Sequence, residues 1–311
     1  MKILVTGGAG FIGSHVVDAY LAAGHEVVVV DDLSTGSQRF LPGSARLYLM
    51  NIGAPELAKV LEIEKPDVVN HHAAQISVTI SARQPMRDAQ VNGLGLLNVL
   101  ECSRAAGVRK VIFISSGGAI YGEADGNRLR EDHPPAPVSP YAIHKLLGEL
   151  YVRFYGSQHQ VDWTILRYAN VYGPRQDPAG EAGVVAIFIS KVLAGEVPVV
   201  NAFPDEPDGM LRDYVYVEDC ARANVLALEK GSHEALNIAS SRGVRTRELL
   251  ATICRIAGRE LKYARGGPRP GDLRSSCLDN CRAAEVLGWK PHFTLDDGLA
   301  RTVSFFSGSH A

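Results

Sequence analysis

The first fifteen residues constrain this chain more than any other stretch, because Lys2 to His15 read KILVTGGAGFIGSH. A short run of apolar and β-branched residues, Ile3 to Thr6, predicts a buried strand. The glycines Gly7, Gly10 and Gly13 follow, ahead of a helical pattern that runs to Ala23. Gly7 lets the chain reverse, Gly10 brings backbone close to a ligand, and Gly13 lets the helix lie against the strand. The start of that helix offers unpaired N–H groups and the positive end of its dipole to a pyrophosphate. A second strand, Glu26 to Val30, ends at Asp31, where a carboxylate can accept hydrogen bonds from an adenosine ribose. Together these residues predict a dinucleotide-binding βαβ unit.

Composition narrows the partners. The chain has 311 residues, 46% of them apolar, enough for sizeable cores and about two domains. A formal net charge of -2 without any basic run argues against nucleic acid, since phosphate backbones require clustered Lys and Arg. No apolar run approaches the roughly 18 residues of a membrane helix, and glycines interrupt the stretch where a signal peptide would need continuous apolar residues, so no membrane partner is expected. Five cysteines (Cys102, Cys220, Cys254, Cys277, Cys281) form no CxxC pair, which predicts buried, reduced thiols in the cytoplasm.

After Asp31, strands and helices alternate: strands near 46–50, 68–71, 110–115 and 163–167, with helices over 55–64, 86–106 and 141–155. Such alternation predicts an α/β fold, a Rossmann-type doubly wound parallel sheet. The loop-like YGPRQDPAGEAG, from Tyr172 to Gly183, marks a boundary between a cofactor domain, 1–172, and a smaller α/β substrate domain, 173–311, some of whose segments could return to the first. GGPRPGD, Gly266 to Asp272, reads as a binding loop.

Ser139 and Pro140 form a helix cap and first-turn pair, which places Tyr141 and Lys145 four residues apart on one helical face. A free tyrosine titrates near about 10, and a neighbouring ammonium favours its phenolate, so the pair predicts a tyrosine base with a lysine that can also hold a cofactor ribose. His71 and His72 are adjacent. Consecutive strand residues point to opposite faces and no third ligand stands near in the sequence, so no metal site is expected.

TGGAGFIG, Asp31 and YAIHK resemble the extended short-chain dehydrogenase/reductase family. RYANVYGPRQDP, LRDYVYVED and RPGD resemble the UDP-glucose 4-epimerase group of nucleotide-sugar enzymes within it, over essentially the whole chain. The resemblance implies bound NAD, a UDP-sugar substrate and a homodimer paired through helices 86–106 and 141–155, with Leu96, Leu97, Val99, Leu146, Leu147 and Leu150 as contact candidates. It implies catalysis by Tyr141, Lys145 and Ser116. Cofactor contacts would come from Gly7, Gly10, Phe11, Ile12, Gly13, Asp31, Asp32, Ala73, Asn92, Tyr141, Lys145 and Tyr168. Substrate contacts would come from Ser116, Tyr141, Asn170, Val184, Arg212, Arg269, Asp272 and Ser276, with the small Ser276 leaving room for N-acetylated sugars. The reaction implied is 4-epimerisation of a UDP-hexose, UDP-glucose/UDP-galactose and the N-acetyl pair, through a 4-keto intermediate. Rival readings are a uronate epimerase, a keto-sugar reductase, a dehydratase and an NAD(H)-binding regulator. In ISSGGAIYG, Gly117 stands where close relatives carry Ser or Thr, leaving Ser116 as the nearest hydroxyl. Gly118 and Ala119 stand where dehydratases carry acids.

Overall fold

The computed structural model describes residues 1–124, 127–178, 183–269 and 271–308. In chain order the first half runs β1 (Lys2–Thr6), α1 (Phe11–Ala22), β2 (Glu26–Asp31), β3 (Arg46–Leu49), α2 (Leu57–Glu64), β4 (Val68–His71), α3 (Val78–Arg83), α4 (Pro85–Asp88), a π-helical segment (Ala89–Gly95), α5 (Leu96–Ala105), β5 (Lys110–Ser116), α6 (Gly117–Ile120), α7 (Pro140–His159) and β6 (Asp162–Tyr168). The second half runs β7 (Asn170–Tyr172), α8 (Val184–Leu193), β8 (Val199–Asn201), β9 (Leu211–Tyr216), α9 (Val217–Ala227), β10 (Glu234–Ile238), β11 (Gly243–Arg245), α10 (Thr246–Ile256), β12 (Ala264–Gly266), β13 (Ser275–Ser276), α11 (Cys281–Leu287) and α12 (Leu295–Gly308).

The large sheet has seven strands in the order β10-β6-β5-β4-β1-β2-β3, all parallel. Its central strands are buried on both faces, as a parallel sheet covered by helices requires. In β1, Ile3 and Val5 enter the core on one side and Leu4 the core on the other, the period-2 alternation of a strand. Strand order reverses between β1 and β4, and a crevice opens there beyond the carboxyl ends of the strands.

The second half contributes a small sheet, β11-β9-β13 with β7 also on β9, and a two-stranded β8–β12 pair. A third core, with Phe188, Tyr214, Leu249 and Leu299, lies beneath it. The chain does not stay on this side. Strand β10 pairs with β6 at the edge of the large sheet, and α9 packs on α1. The segment expected to belong to a capping domain around 218–239 therefore completes the cofactor sheet, because its apolar run matches the exposed edge of β6. The expected single helix over 86–106 is instead α4, the π-helical segment and α5 in succession.

Candidate active site

The crevice at the strand-order reversal is a cavity of about 350 Å³. One end is built by backbone. Gly7 has φ +68, and a Cβ there would lie 2.5 Å from the Ala73 nitrogen. A Cβ on Gly13 would lie 2.1 Å from the Gly7 carbonyl oxygen, so only glycine lets α1 come this close to the turn. The Ser14 N–H donates to the Gly10 carbonyl at 3.0 Å, and the N–H groups ahead of it, at Phe11, Ile12 and Gly13 on the cavity wall, are the unpaired donors of a helix start. Asp31 takes one backbone N–H on each oxygen, from Ala9 at 2.9 Å and Leu33 at 2.8 Å, and keeps lone pairs for a ribose. Asp32 is held by Ser34 and Asn51. Gly10, Asp31, Asp32, Ala73 and Tyr168 line the same cavity. A glycine cradle, a helix start and a ribose acceptor fit a dinucleotide.

At the other end of this cavity stand Ser116, Tyr141 and Lys145. Strand β5 delivers Ser116. Helix α7 delivers the other two, its start capped by the Ser139 hydroxyl accepting the Ala142 N–H. The Ser116 hydroxyl acts to lower the pKa of the Tyr141 phenol, but burial outweighs it and pushes the phenol up to about 12. Lys145 differs from expectation. Its ammonium donates to the Ile114 carbonyl at 2.8 Å and stands 5.8 Å from the Tyr141 ring centre, and burial lowers it to about 8 against the opposing pull of Asp88 and Glu149. Here the lysine is held by backbone rather than by the phenol.

Helix α7 is locked from beneath. Asp88, fully buried, lies 2.6 Å from Nδ1 of His144 and accepts from Gln75 at 2.6 Å and Asn92 at 3.0 Å. Deeper in, Glu149 accepts two hydrogen bonds from the Arg167 guanidinium and one from Ser115. Asn92 is thus engaged with Gln75 and Asp88, while its neighbour Val91 reaches the cavity wall. The π-helical turn shifts the side-chain register by one residue.

Gly117 has a packing reason. A Cβ there would lie 2.4 Å from Leu278 Cδ1, so a serine or threonine would collide with a leucine from the far end of the chain. His71 bonds Thr6 at 2.8 Å and stacks on Phe113, whereas His72 lines the cavity, so the two rings do part to opposite faces.

A second cavity of about 230 Å³ adjoins the first, and Asn170, Val171 and Gly183 line both. Val184, Arg212, Arg269 and Asp272 line it. Arg212 is fixed by donating to the Leu211 and Leu273 carbonyls, and burial lowers its pKa. Asp213, next in sequence, is buried and accepts from the backbone of Ser240 and Ser241, anchoring β9. Two guanidiniums at one end of a cleft suit a diphosphate. Ser276 is not brought here. It is 2% exposed in β13, in register with Arg212, and lines neither cavity. The sugar gate expected of it has no support in this geometry, because β13 turns the residue into the small sheet.

Residues 3–239 match the NAD dependent epimerase/dehydratase family. The chain belongs to that family. The UDP-glucose 4-epimerase of Mycolicibacterium smegmatis is 45% identical over 98% of both chains. Among solved structures, the UDP-glucose 4-epimerase of Thermotoga maritima with UDP-glucose matches with a TM-score of 0.96 at 47% identity, covering 100% of each chain. The Thermus thermophilus UDP-glucose 4-epimerase in complex with NAD matches with a TM-score of 0.95 at 44% identity, covering 99% of this chain and 100% of that one.

In this epimerase/dehydratase-family chain, two cavity residues escaped the sequence reading. Tyr214 presents a buried hydroxyl with no partner among the described residues to the second cavity, and Gln176 presents a buried amide oxygen in the same condition to the first. Tyr214 lies two residues beyond Arg212 on the same face of β9, a period-2 signal that could have found it. Gln176 lies in an irregular loop and carries no such signal.

Proposed function

We propose that this chain is an NAD-dependent UDP-hexose 4-epimerase, interconverting UDP-glucose and UDP-galactose through a 4-keto sugar. The observation that carries the reading is the continuity of the two cavities: the Ser116–Tyr141 pair and the glycine cradle line one, Arg212 and Arg269 line the other, and they share Asn170, Val171 and Gly183. The full-length likeness to proteins named UDP-glucose 4-epimerase supports the same substrate class.

Gly7, Gly10, Gly13, Asp31 and Asp32 would hold NAD, which when bound supplies a hydride acceptor and donor for C4 of the sugar. Tyr141 takes the 4-hydroxyl proton as the alcohol becomes a ketone and returns it when the alcohol re-forms. Ser116 stabilises the phenolate by its hydrogen bond, and Lys145, buried nearby, adds positive charge. Arg212 and Arg269 grip the diphosphate while the sugar turns over. Gly118 and Ala119 offer no acid for expelling water, which disfavours a dehydratase. Purified protein given UDP-glucose should yield UDP-galactose with no net consumption of NAD. A dehydrated product would point to a dehydratase, turnover of UDP-glucuronate in place of UDP-glucose to a uronate epimerase, and no turnover of any UDP-sugar to a regulator.

The homodimer expected from the resemblance has a surface to use. On α7, Ile143, Leu150 and Phe154 are 50%, 58% and 52% exposed in one stripe at i, i+7 and i+11. The π-helical segment packed beside α7 adds exposed Leu94. Of the sequence candidates, exposed Leu150 and half-buried Leu147 lie on this stripe, whereas Leu96 and Val99 are in the core and Leu97 and Leu146 pack against it. Light scattering at micromolar concentration should give twice the 33.5 kDa chain mass. A reducing compartment such as the cytoplasm fits five cysteines that are all free. No helix among the described residues is long and apolar enough to cross a membrane.

A further inference from the structure

Gln176 lies just past the strand β7 that carries Asn170 into both cavities. It is 9% exposed and lines the cavity that holds Tyr141 and Ser116. Its Nε2 donates weakly to the Val171 carbonyl, at 3.4 Å, and its Oε1 is buried without a partner among the described residues. A buried amide oxygen left without a donor costs free energy, so a side chain retained in this state implies a donor that arrives with the ligand.

The backbone opposite makes room for it. Gly183 lines both cavities, and a Cβ there would lie 2.8 Å from Gln176 Nε2. Val171, whose carbonyl holds the amide, also lines both. The amide stands in the cavity of Tyr141 and Ser116, beside the Val171 and Gly183 backbone through which that cavity meets the cleft of Arg212 and Arg269. The group that must span this junction is the hexose ring. The diphosphate is an unsuitable partner for a free carbonyl oxygen, since both carry negative charge and neither donates.

We propose that Gln176 reads the hexose, its amide oxygen accepting a hydrogen bond from a sugar hydroxyl at the junction of the two cavities. An amide suits a sugar that turns over. It accepts through Oε1, and its weakly held Nε2 can leave Val171 to donate, so it can meet either a hydroxyl hydrogen or a hydroxyl oxygen as the ring presents different faces. The proposal rests on the UDP-hexose reading, and its test does not require turnover.

Calorimetric titration of the NAD-loaded protein with UDP-glucose and with UDP alone separates the sugar contact from the nucleotide contacts. Gln176→Met keeps the length and removes the hydrogen bonds. It is expected to weaken UDP-glucose about tenfold and leave UDP within about twofold, with an unchanged melting temperature. Gln176→Asn, which draws the amide back by one methylene, should show the same selective loss and serves if the methionine variant fails to fold. Unchanged UDP-glucose affinity, or an equal loss for UDP and UDP-glucose, overturns the assignment. If the wild type binds UDP-glucose no more tightly than UDP, no sugar contact exists and the proposal fails. If it binds UDP-glucose more tightly yet does not epimerise it, only the functional reading fails.

Discussion

The two ends of the site are built from different materials. The cofactor end is made by backbone. Gly7 and Gly13 close on neighbouring main chain within 2.5 Å of where a side chain would begin, and Asp31 is clamped by two N–H groups. The sugar end is made by side chains. Arg269 is exposed on a loop, and Tyr214 and Gln176 hold buried polar atoms with no partner among the described residues. The glycine turn and the Asp31 clamp are formed before a ligand comes, so damage to them should disturb fold and cofactor together. The second is completed by its ligand, so damage there should be felt only when substrate binds.

Substitutions can break or sharpen that contrast. The largest effect is expected where the ends meet. Tyr141→Phe removes the proposed proton carrier and should lower kcat by about 10² to 10⁴ with UDP affinity intact, by steady-state kinetics and titration. A Tyr141→Phe enzyme of near-normal rate would assign the proton to another group. Gly13→Ala drives a methyl into the Gly7 carbonyl and should weaken NAD binding about 10- to 100-fold while lowering the melting temperature. Were only one of those two readouts to move, the coupling of fold and cofactor would be wrong. Arg269→Ala should cost UDP affinity about tenfold at an unchanged melting temperature.

Lys145 gives a test by pH. Burial lowers its ammonium to about 8, so the group is charged below that pH and neutral above it. The charge favours the phenolate, and its loss should lower kcat about fivefold between pH 8 and 9. Lys145→Arg is slower overall but stays charged, so its profile should be flat there. The smallest effect is expected of Ser116→Ala, a loss of about fivefold in kcat from one hydrogen bond to the phenol.

The same contrast explains what could be read from the sequence. The cofactor end was legible because its rules are local: a strand run, three glycines and an acid at a strand end each declare a backbone shape, and the structure places all of them on one cavity. Tyr141 and Lys145 were legible as helical spacing. The direction of the Lys145 ammonium was not, because the Ile114 carbonyl that takes it lies 31 residues away in sequence. Asn92 read equally as a cofactor contact and as a helix-face hydrogen bond, and the π-helical turn sets it against Gln75 and Asp88. Gly117 read as a missing hydroxyl, and only the packing of Leu278 shows what fills the space. Residues whose neighbours are set by tertiary contact leave no periodic trace.

Strand β10 carries a consequence for how the molecule is made. Leaving the ribosome, the chain offers six strands of the large sheet and then must produce β7, α8, β8 and β9 before α9 can cover α1 and β10 can close the edge of β6. A nascent chain released at residue 172 has every glycine and acid of the cofactor cradle, yet bears an open strand edge and an uncovered apolar helix face, the two surfaces that invite aggregation. The nucleotide half cannot be finished ahead of the sugar half, although it is translated first.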